Sequence, residues 1–81
     1  MPNITPEVTI YTTPSCHFCH MAKEFFKEKN VPYTEYDVAS DAEKRKEMIE
    51  KSKQMGVPVI IIGNDLVVGF SKPLISKLLG V

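Results

Sequence analysis

Cys16-His17-Phe18-Cys19-His20 holds both cysteines and both histidines of the chain. Thiols at this spacing can cycle between dithiol and disulfide. The same string satisfies Cys-x-x-Cys-His, the pattern of covalent haem attachment. It also offers sulfur and nitrogen donors of the kind that bind zinc. Redox exchange, haem ligation and metal binding therefore compete for one short stretch.

Haem ligation would use both thiols for thioethers, His20 as one axial ligand and Met48 or Met55 as the other. Such sites belong to exported, helical proteins. The start MPNITPEVTI has neither a basic nor an apolar signal region, and strand patterns recur along the chain. Zinc fares no better. Four donors crowded on one helical turn cannot converge on a tetrahedral ion, and no Cys or His elsewhere completes the set. That leaves only a metal shared between two chains.

Redox exchange fits the elements around the motif. VTIYT (8–12) is β-branched and aromatic and reads as a strand, stopped by Pro14 and Ser15. From His17 to Lys29 the period is helical. Phe18, Cys19, Ala22, Phe25 and Phe26 form an apolar side, with Lys23, Glu24, Lys27 and Glu28 turned to water. Asn30 and Pro32 end the helix. Cys16 thus falls between a strand and a helix, where unpaired N–H groups and the helix dipole favour an anion. The thiolate is the attacking species in disulfide exchange. Cys19, one turn on, shares its face and can close a short disulfide. His17 is a candidate for tuning the nucleophile, because its cation would favour a thiolate while opposing the helix dipole. Phe18 is either a substrate contact or a core residue, and His20 a solvated surface side chain.

The remaining elements complete a frame. YTEYDV (33–38) is a second strand, and Ser40 with Glu43 forms a capping box for a charged helix to about Lys53. VPVIII (57–62) is a buried strand, Gly63-Asn64-Asp65 a hairpin turn and LVV (66–68) the returning strand. Gly69 breaks it. Ser71 caps a last helix that holds Pro73 in its first turn and turns Leu74, Ile75, Leu78 and Leu79 inward. The order is β-α-β-α-β-β-α. The first β-α-β unit gives two parallel strands with a right-handed crossover, and the hairpin adds two antiparallel ones. The expected class is α/β, a four-stranded mixed sheet flanked by three helices.

Composition narrows the partners. The chain has 81 residues, which predicts a single domain spanning 1–81. Ten basic residues balance ten acidic ones, so no positive excess gathers phosphates and no nucleic acid is expected. The longest apolar run, Val57 to Ile62, is far too short for a bilayer. A lone pair of close cysteines suits a reducing, cytoplasmic setting. Residues 1–6, with Pro2 and Pro6, are expected to trail over the surface.

From Val8 to Leu79 the chain resembles a glutaredoxin, within the thioredoxin superfamily. The likeness rests on IYTTPSCHFC, GVPVIIIG and VVGFSKPLI, in this order and spacing. It implies a thioredoxin-like fold, Cys16 as nucleophile and Cys19 as resolving cysteine. It implies a cis Val57-Pro58 bond opposite the cysteines, with the Val57 backbone free to pair with a substrate strand. It implies that Gly69, Phe70 and Ser71, at a helix start, receive a carboxylate of glutathione. No bound cofactor is implied; the partners would be disulfide-containing proteins, and the molecule a monomer.

Departures bear on the reductant. His17 and Phe18 replace the family's usual Pro-Tyr. Thr13 stands where many members carry a basic residue, Val68 where many carry Gly, and Lys72 where many carry an acid. GFSKP resembles instead the glutaredoxin-like hydrogen donors of ribonucleotide reductase, which draw electrons from thioredoxin reductase. Glutathione and thioredoxin reductase are the two expected donors. An iron–sulfur cluster held between two chains by Cys16 is the rival use of the same residues.

Overall fold

The computed structural model describes residues 7–80, so the expected surface course of residues 1–6 lies outside the described residues. Its elements are β1 (Val8–Thr12), α1 (His17–Glu28), β2 (Thr34–Asp37), α2 (Ala42–Ser52), β3 (Val59–Ile62), β4 (Asp65–Val68) and α3 (Lys72–Leu79). They form one four-stranded sheet in the order β2-β1-β3-β4. β1 runs parallel to β2 and antiparallel to β3, and β3 pairs antiparallel with β4. The expected thioredoxin-like α/β architecture is the one observed.

Strand alternation sorts the apolar residues into two layers. Ile10, Ile60 and Ile62 pack with Ala22, Phe25 and Phe26 of α1 and with Ile75 and Leu79 of α3. Tyr11 and Val59 point the other way and pack with Met48 of α2. The sheet is thus covered on both faces, by α1 and α3 on one and by α2 on the other. Phe26 is fully buried, and truncating such a side chain to Ala costs about 3–5 kcal/mol.

The ends of the helices differ from the sequence reading in instructive ways. α1 closes as expected at Asn30, whose φ of 56° turns the chain left-handed. The Val31 N–H reaches Phe26 O at 2.8 Å and the Asn30 N–H reaches Lys27 O at 3.2 Å, a Schellman closure. α2 is capped by Asp41 rather than Ser40. The Asp41 carboxylate accepts from the Lys44 N–H at 3.0 Å, while the Ser40 hydroxyl donates to Asp37 O. Two adjacent polar residues competed for one cap, and the carboxylate, which also suits the helix dipole, took it. Ser71 occupies the cap position of α3 but makes no side-chain cap bond.

β3 begins at Val59, not Val57, because Val57-Pro58 is a cis peptide bond and proline cannot donate to a ladder. The hairpin turn is Gly63-Asn64, since Ile62 already pairs with Asp65. Leu74, expected to turn inward, is exposed, and so is Phe18, for which a core place was one of two readings. Lys23, expected to face water, is instead half-buried against β2.

Candidate active site

β1 delivers the chain to one end of the sheet, and the loop Thr13–Ser15 carries it into α1. Cys16 is the N-cap of that helix, in extended conformation with φ −86° and ψ 112°. Its backbone N–H donates to Thr13 O at 3.3 Å and its carbonyl accepts from the His20 N–H at 3.3 Å. Its Sγ takes the place an N-cap oxygen normally has, accepting from the Cys19 N–H at 3.1 Å. The side chain that chemistry requires is therefore also the one that closes the helix. α1 has no acidic residue in its first turn to compete for that positive end.

The two thiols are free and unlike. Cys16 is partly exposed, whereas Cys19 is fully buried, at 0% exposure. Burial first, and then the hydrogen bond with Cys16, push the Cys19 thiol up to about 12. One sulfur can thus meet an incoming disulfide while the other waits behind it, protonated.

The same end of the sheet carries the second half of the site. Because β1 and β3 are antiparallel with Tyr11 opposite Val59, the chain leaving β1 toward Cys16 runs beside the chain entering β3 from Val57-Pro58. β4 ends there too, with Val68 opposite Val59. The Gly69 N–H donates to Pro58 O at 2.8 Å, tying these two loops together. Gly69 has φ +85°, a backbone that other residues adopt only under strain. Among the described residues no hydrogen bond uses the Val57 N–H or C=O. Gly56, just before, is fully engaged: the Gln54 carboxamide accepts from its N–H and donates to its carbonyl. A Cβ at Gly56 would lie 2.7 Å from the Gln54 oxygen, so a larger residue would shift the Gln54 carboxamide.

The other expected residues take distinct places. Phe70 is half-buried, its ring edge-on to Phe25 at 6.0 Å between centroids. With Met21, Glu24, Glu28 and Lys72, these two rings line a surface groove. Phe18 is 56% exposed, which decides against a core role. His17 is exposed and rests edge-on against Phe18 at 5.7 Å, with no hydrogen bond to Cys16. His20 is not merely solvated, since its Nε2 lies 3.2 Å from Pro14 O and fastens the loop before Cys16. No group of three or more His, Cys, Asp or Glu suited to a metal ion occurs among the described residues.

The sequence reading missed one cluster beside this site. Glu35 Oε2 accepts from Lys23 Nζ at 2.9 Å and from the buried Thr12 hydroxyl at 2.7 Å. The available signals were Lys23, four residues after Cys19 on the same helix face, and an acid on the neighbouring parallel strand.

Comparisons with known proteins bear on the family. The family model described as Glutaredoxin matches residues 8–67. An uncharacterized glutaredoxin-like 8.6 kDa protein in the rubredoxin operon of Clostridium pasteurianum is 46% identical over 72 residues, covering 89% of this chain and 96% of that one. The crystal structure of the thioredoxin-like protein BC3987 superimposes with a TM-score of 0.85 at 34% identity, covering 90% of this chain and 100% of that one. A glutaredoxin-like protein with a thioredoxin-like activity profile, the NrdH-redoxin of Escherichia coli, gives a TM-score of 0.78 at 26% identity, covering 89% and 93%.

Proposed function

The chain belongs to the glutaredoxin family and is a dithiol–disulfide oxidoreductase, and we propose that Cys16 is its nucleophile and Cys19 its resolving thiol. One observation carries the assignment: the sulfur of the partly exposed Cys16, at the helix N-terminus, accepts a hydrogen bond from the backbone N–H of Cys19, whose own sulfur is buried.

The reaction then runs in two exchanges. Cys16 thiolate attacks one sulfur of a substrate disulfide, a Cys16–substrate bond forms and the other substrate sulfur leaves as a thiolate that takes up a proton. Cys19 sulfur next attacks Cys16 Sγ. The intramolecular disulfide forms, the second substrate sulfur leaves, and the Cys19 proton ends on it. Two electrons have passed to the substrate, which is now a dithiol. The Cys19 N–H bonded to Cys16 Sγ favours the thiolate charge needed in the first exchange.

Substrate positioning is assigned to the loops around the pair. The unused Val57 N–H and C=O, next to Pro58, suit an extended peptide strand laid beside the cysteines. Phe18 offers an exposed apolar contact, and Phe70 and Ser71 offer backbone N–H groups at the start of α3, where Gly69, its own N–H held by Pro58 O, makes the turn. His17, placed beside Phe18 rather than bonded to the sulfur, is kept as a charge that modulates the nucleophile. The chain is read as one domain that works as a cytoplasmic monomer on disulfide-containing proteins. No helix among the described residues is long and apolar enough to cross a membrane.

For the reductant, thioredoxin reductase is preferred to glutathione. Val68 is 50% exposed at the end of β4, Lys72 stands at the start of α3, and Thr13 supplies no charge for a carboxylate. The likeness to the NrdH-redoxin, with its thioredoxin-like activity profile, supports the same choice. The test follows NADPH consumption with a disulfide substrate, once with glutathione and glutathione reductase and once with thioredoxin reductase. Turnover with the second alone is the expected result. Turnover with the first alone would instead make Gly69 to Ser71 a working glutathione site.

A further inference from the structure

The Lys23–Glu35 ion pair, 2.9 Å long, joins α1 to β2, whereas the other ion pairs among the described residues are local to α2. It is also built into the fold. The Thr12 hydroxyl, buried at the end of β1, donates to the same Glu35 oxygen that receives Lys23. Thr12, Lys23 and Glu35 line a cavity with Asp37 and with Thr13 and Pro14 of the active-site loop. Lys23 is four residues after Cys19, so its stem rises from the same face of α1.

We propose that Lys23, held in place by Glu35 and Thr12, is a positioning residue for the second exchange, its ammonium offsetting the negative charge that develops on the buried Cys19 sulfur as it attacks Cys16. The inference rests on the reading of Cys19 as the resolving thiol.

The need for such a charge follows from the site. A thiolate in a fully buried position is costly. Burial, and then the hydrogen bond with Cys16, push Cys19 up to about 12, whereas a backbone hydrogen bond at Thr13 and then the charge of Lys23 draw it back down. Lys23 itself stays a cation: its hydrogen bond to Glu35 raises its pKa, outweighing burial. Glu35 stays an anion. Burial alone would raise its pKa, but the hydrogen bonds from Lys23 and Thr12 outweigh that and lower it. The other titratable groups around the pair are Tyr33 beside Lys23, His20 beside Glu35 and Asp37 at the cavity wall. None of them places a cation nearer to Cys19 along α1 than Lys23, apart from His20, which is exposed and turned to Pro14.

Two substitutions separate charge from structure. Lys23→Gln removes the cation. Glu35→Gln keeps an oxygen to accept from Lys23 and Thr12 but removes the anion that partly cancels the cation. Reduced protein is mixed with excess 5,5′-dithiobis(2-nitrobenzoate), and the coloured thiol released by Cys16 attack and then by Cys19 attack is followed as two phases. Wild type is expected to release two equivalents; release of one only would overturn the resolving role of Cys19 and, with it, the role of Lys23. With two equivalents in hand, Lys23→Gln is expected to slow the second phase about tenfold, with the first phase unchanged. Glu35→Gln is expected to match or exceed wild type in the second phase. Equal slowing in both variants, tracking their loss of thermal stability, would mean that the ion pair only fastens α1 to β2 and would overturn the proposal, as would an unchanged second phase in Lys23→Gln.

Discussion

The Cys19 N–H donates to Cys16 Sγ at 3.1 Å while the Cys19 side chain is wholly buried. One residue therefore serves the other twice, with its backbone before the reaction and with its sulfur during it. The polarity of the pair is set by the fold: only the sulfur at the N-cap can be reached from outside.

Replacing either cysteine should give a different defect. Cys16→Ser is expected to abolish exchange with any disulfide, since the buried Cys19 cannot meet a substrate. Cys19→Ser is expected to keep the first exchange and to accumulate a covalent adduct with protein disulfides, visible by mass spectrometry and lost on adding dithiothreitol. An active Cys16→Ser protein in an insulin-reduction assay would remove Cys16 from its assigned role.

The Cys19 thiol also predicts how stability depends on pH. Burial and the bond with Cys16 raise it from 9.0 to about 12 in the folded chain. Below the unfolded value both states hold the proton and the contribution is present in full. As pH rises from about 9 toward 12 the unfolded state gives up its proton first, so stability falls. Urea midpoints of the reduced protein, taken at about pH 8 and about pH 10, should drop more in wild type than in Cys19→Ala. Equal drops would assign the loss to other titrating groups.

Capping offers a sharper structural test, because three adjacent-looking candidates differ. Asp41→Ala should cost about 0.5–2 kcal/mol, the usual loss for a cap whose side chain bonds the helix N–H. Ser71→Ala should cost much less, since that hydroxyl makes no cap bond. Ser40→Ala loses only a long 3.4 Å bond to Asp37 O. Chemical denaturation of the three variants ranks them, and a loss at Ser40 equal to that at Asp41 would restore the capping-box reading.

The exposed ring beside the nucleophile makes a kinetic prediction. Phe18 is 56% exposed, so Phe18→Ala should leave the unfolding midpoint nearly unchanged. If the ring meets substrates, kcat/KM should fall for a protein disulfide and change little for a small one. A loss shared by both substrates would move Phe18 from substrate contact to support of the Cys16 loop.

Strand and helix order was legible because VTIYT, the α1 apolar face and the VIII run carry clean periods of two and 3.6. The cysteine site was legible because a motif fell at a strand-to-helix junction. What was hidden is tertiary. Lys23 looks like any surface lysine until β2 brings Glu35 beside it. Phe18 and Leu74 match the helical period yet lie at its margins, where only the packed neighbours decide exposure. Ser40 and Asp41 are both good caps, and the choice between them is made by the Asp37 turn that precedes the helix, where Asp37 Oδ1 takes the Ala39 N–H.

Gly69 joins backbone conformation to the proposed substrate surface. Its φ of +85° lies where an added Cβ is disfavoured, although no neighbouring atom comes within 4 Å of that Cβ. Gly69→Ala should therefore lose about 1–2 kcal/mol through backbone strain alone, with no clash to relieve. If the strain is relieved by rotating the peptide, the 2.8 Å bond from the Gly69 N–H to Pro58 O is lost, and the loop that presents Val57 loses its tie to the start of α3. The expected outcome is a lower denaturation midpoint together with a raised KM for protein disulfides, while alkylation of Cys16 by iodoacetamide keeps its wild-type rate. A raised KM with an unchanged midpoint would mean that the methyl group itself obstructs the substrate. An unchanged KM with a lowered midpoint would show that Gly69 shapes the fold but does not guide the substrate.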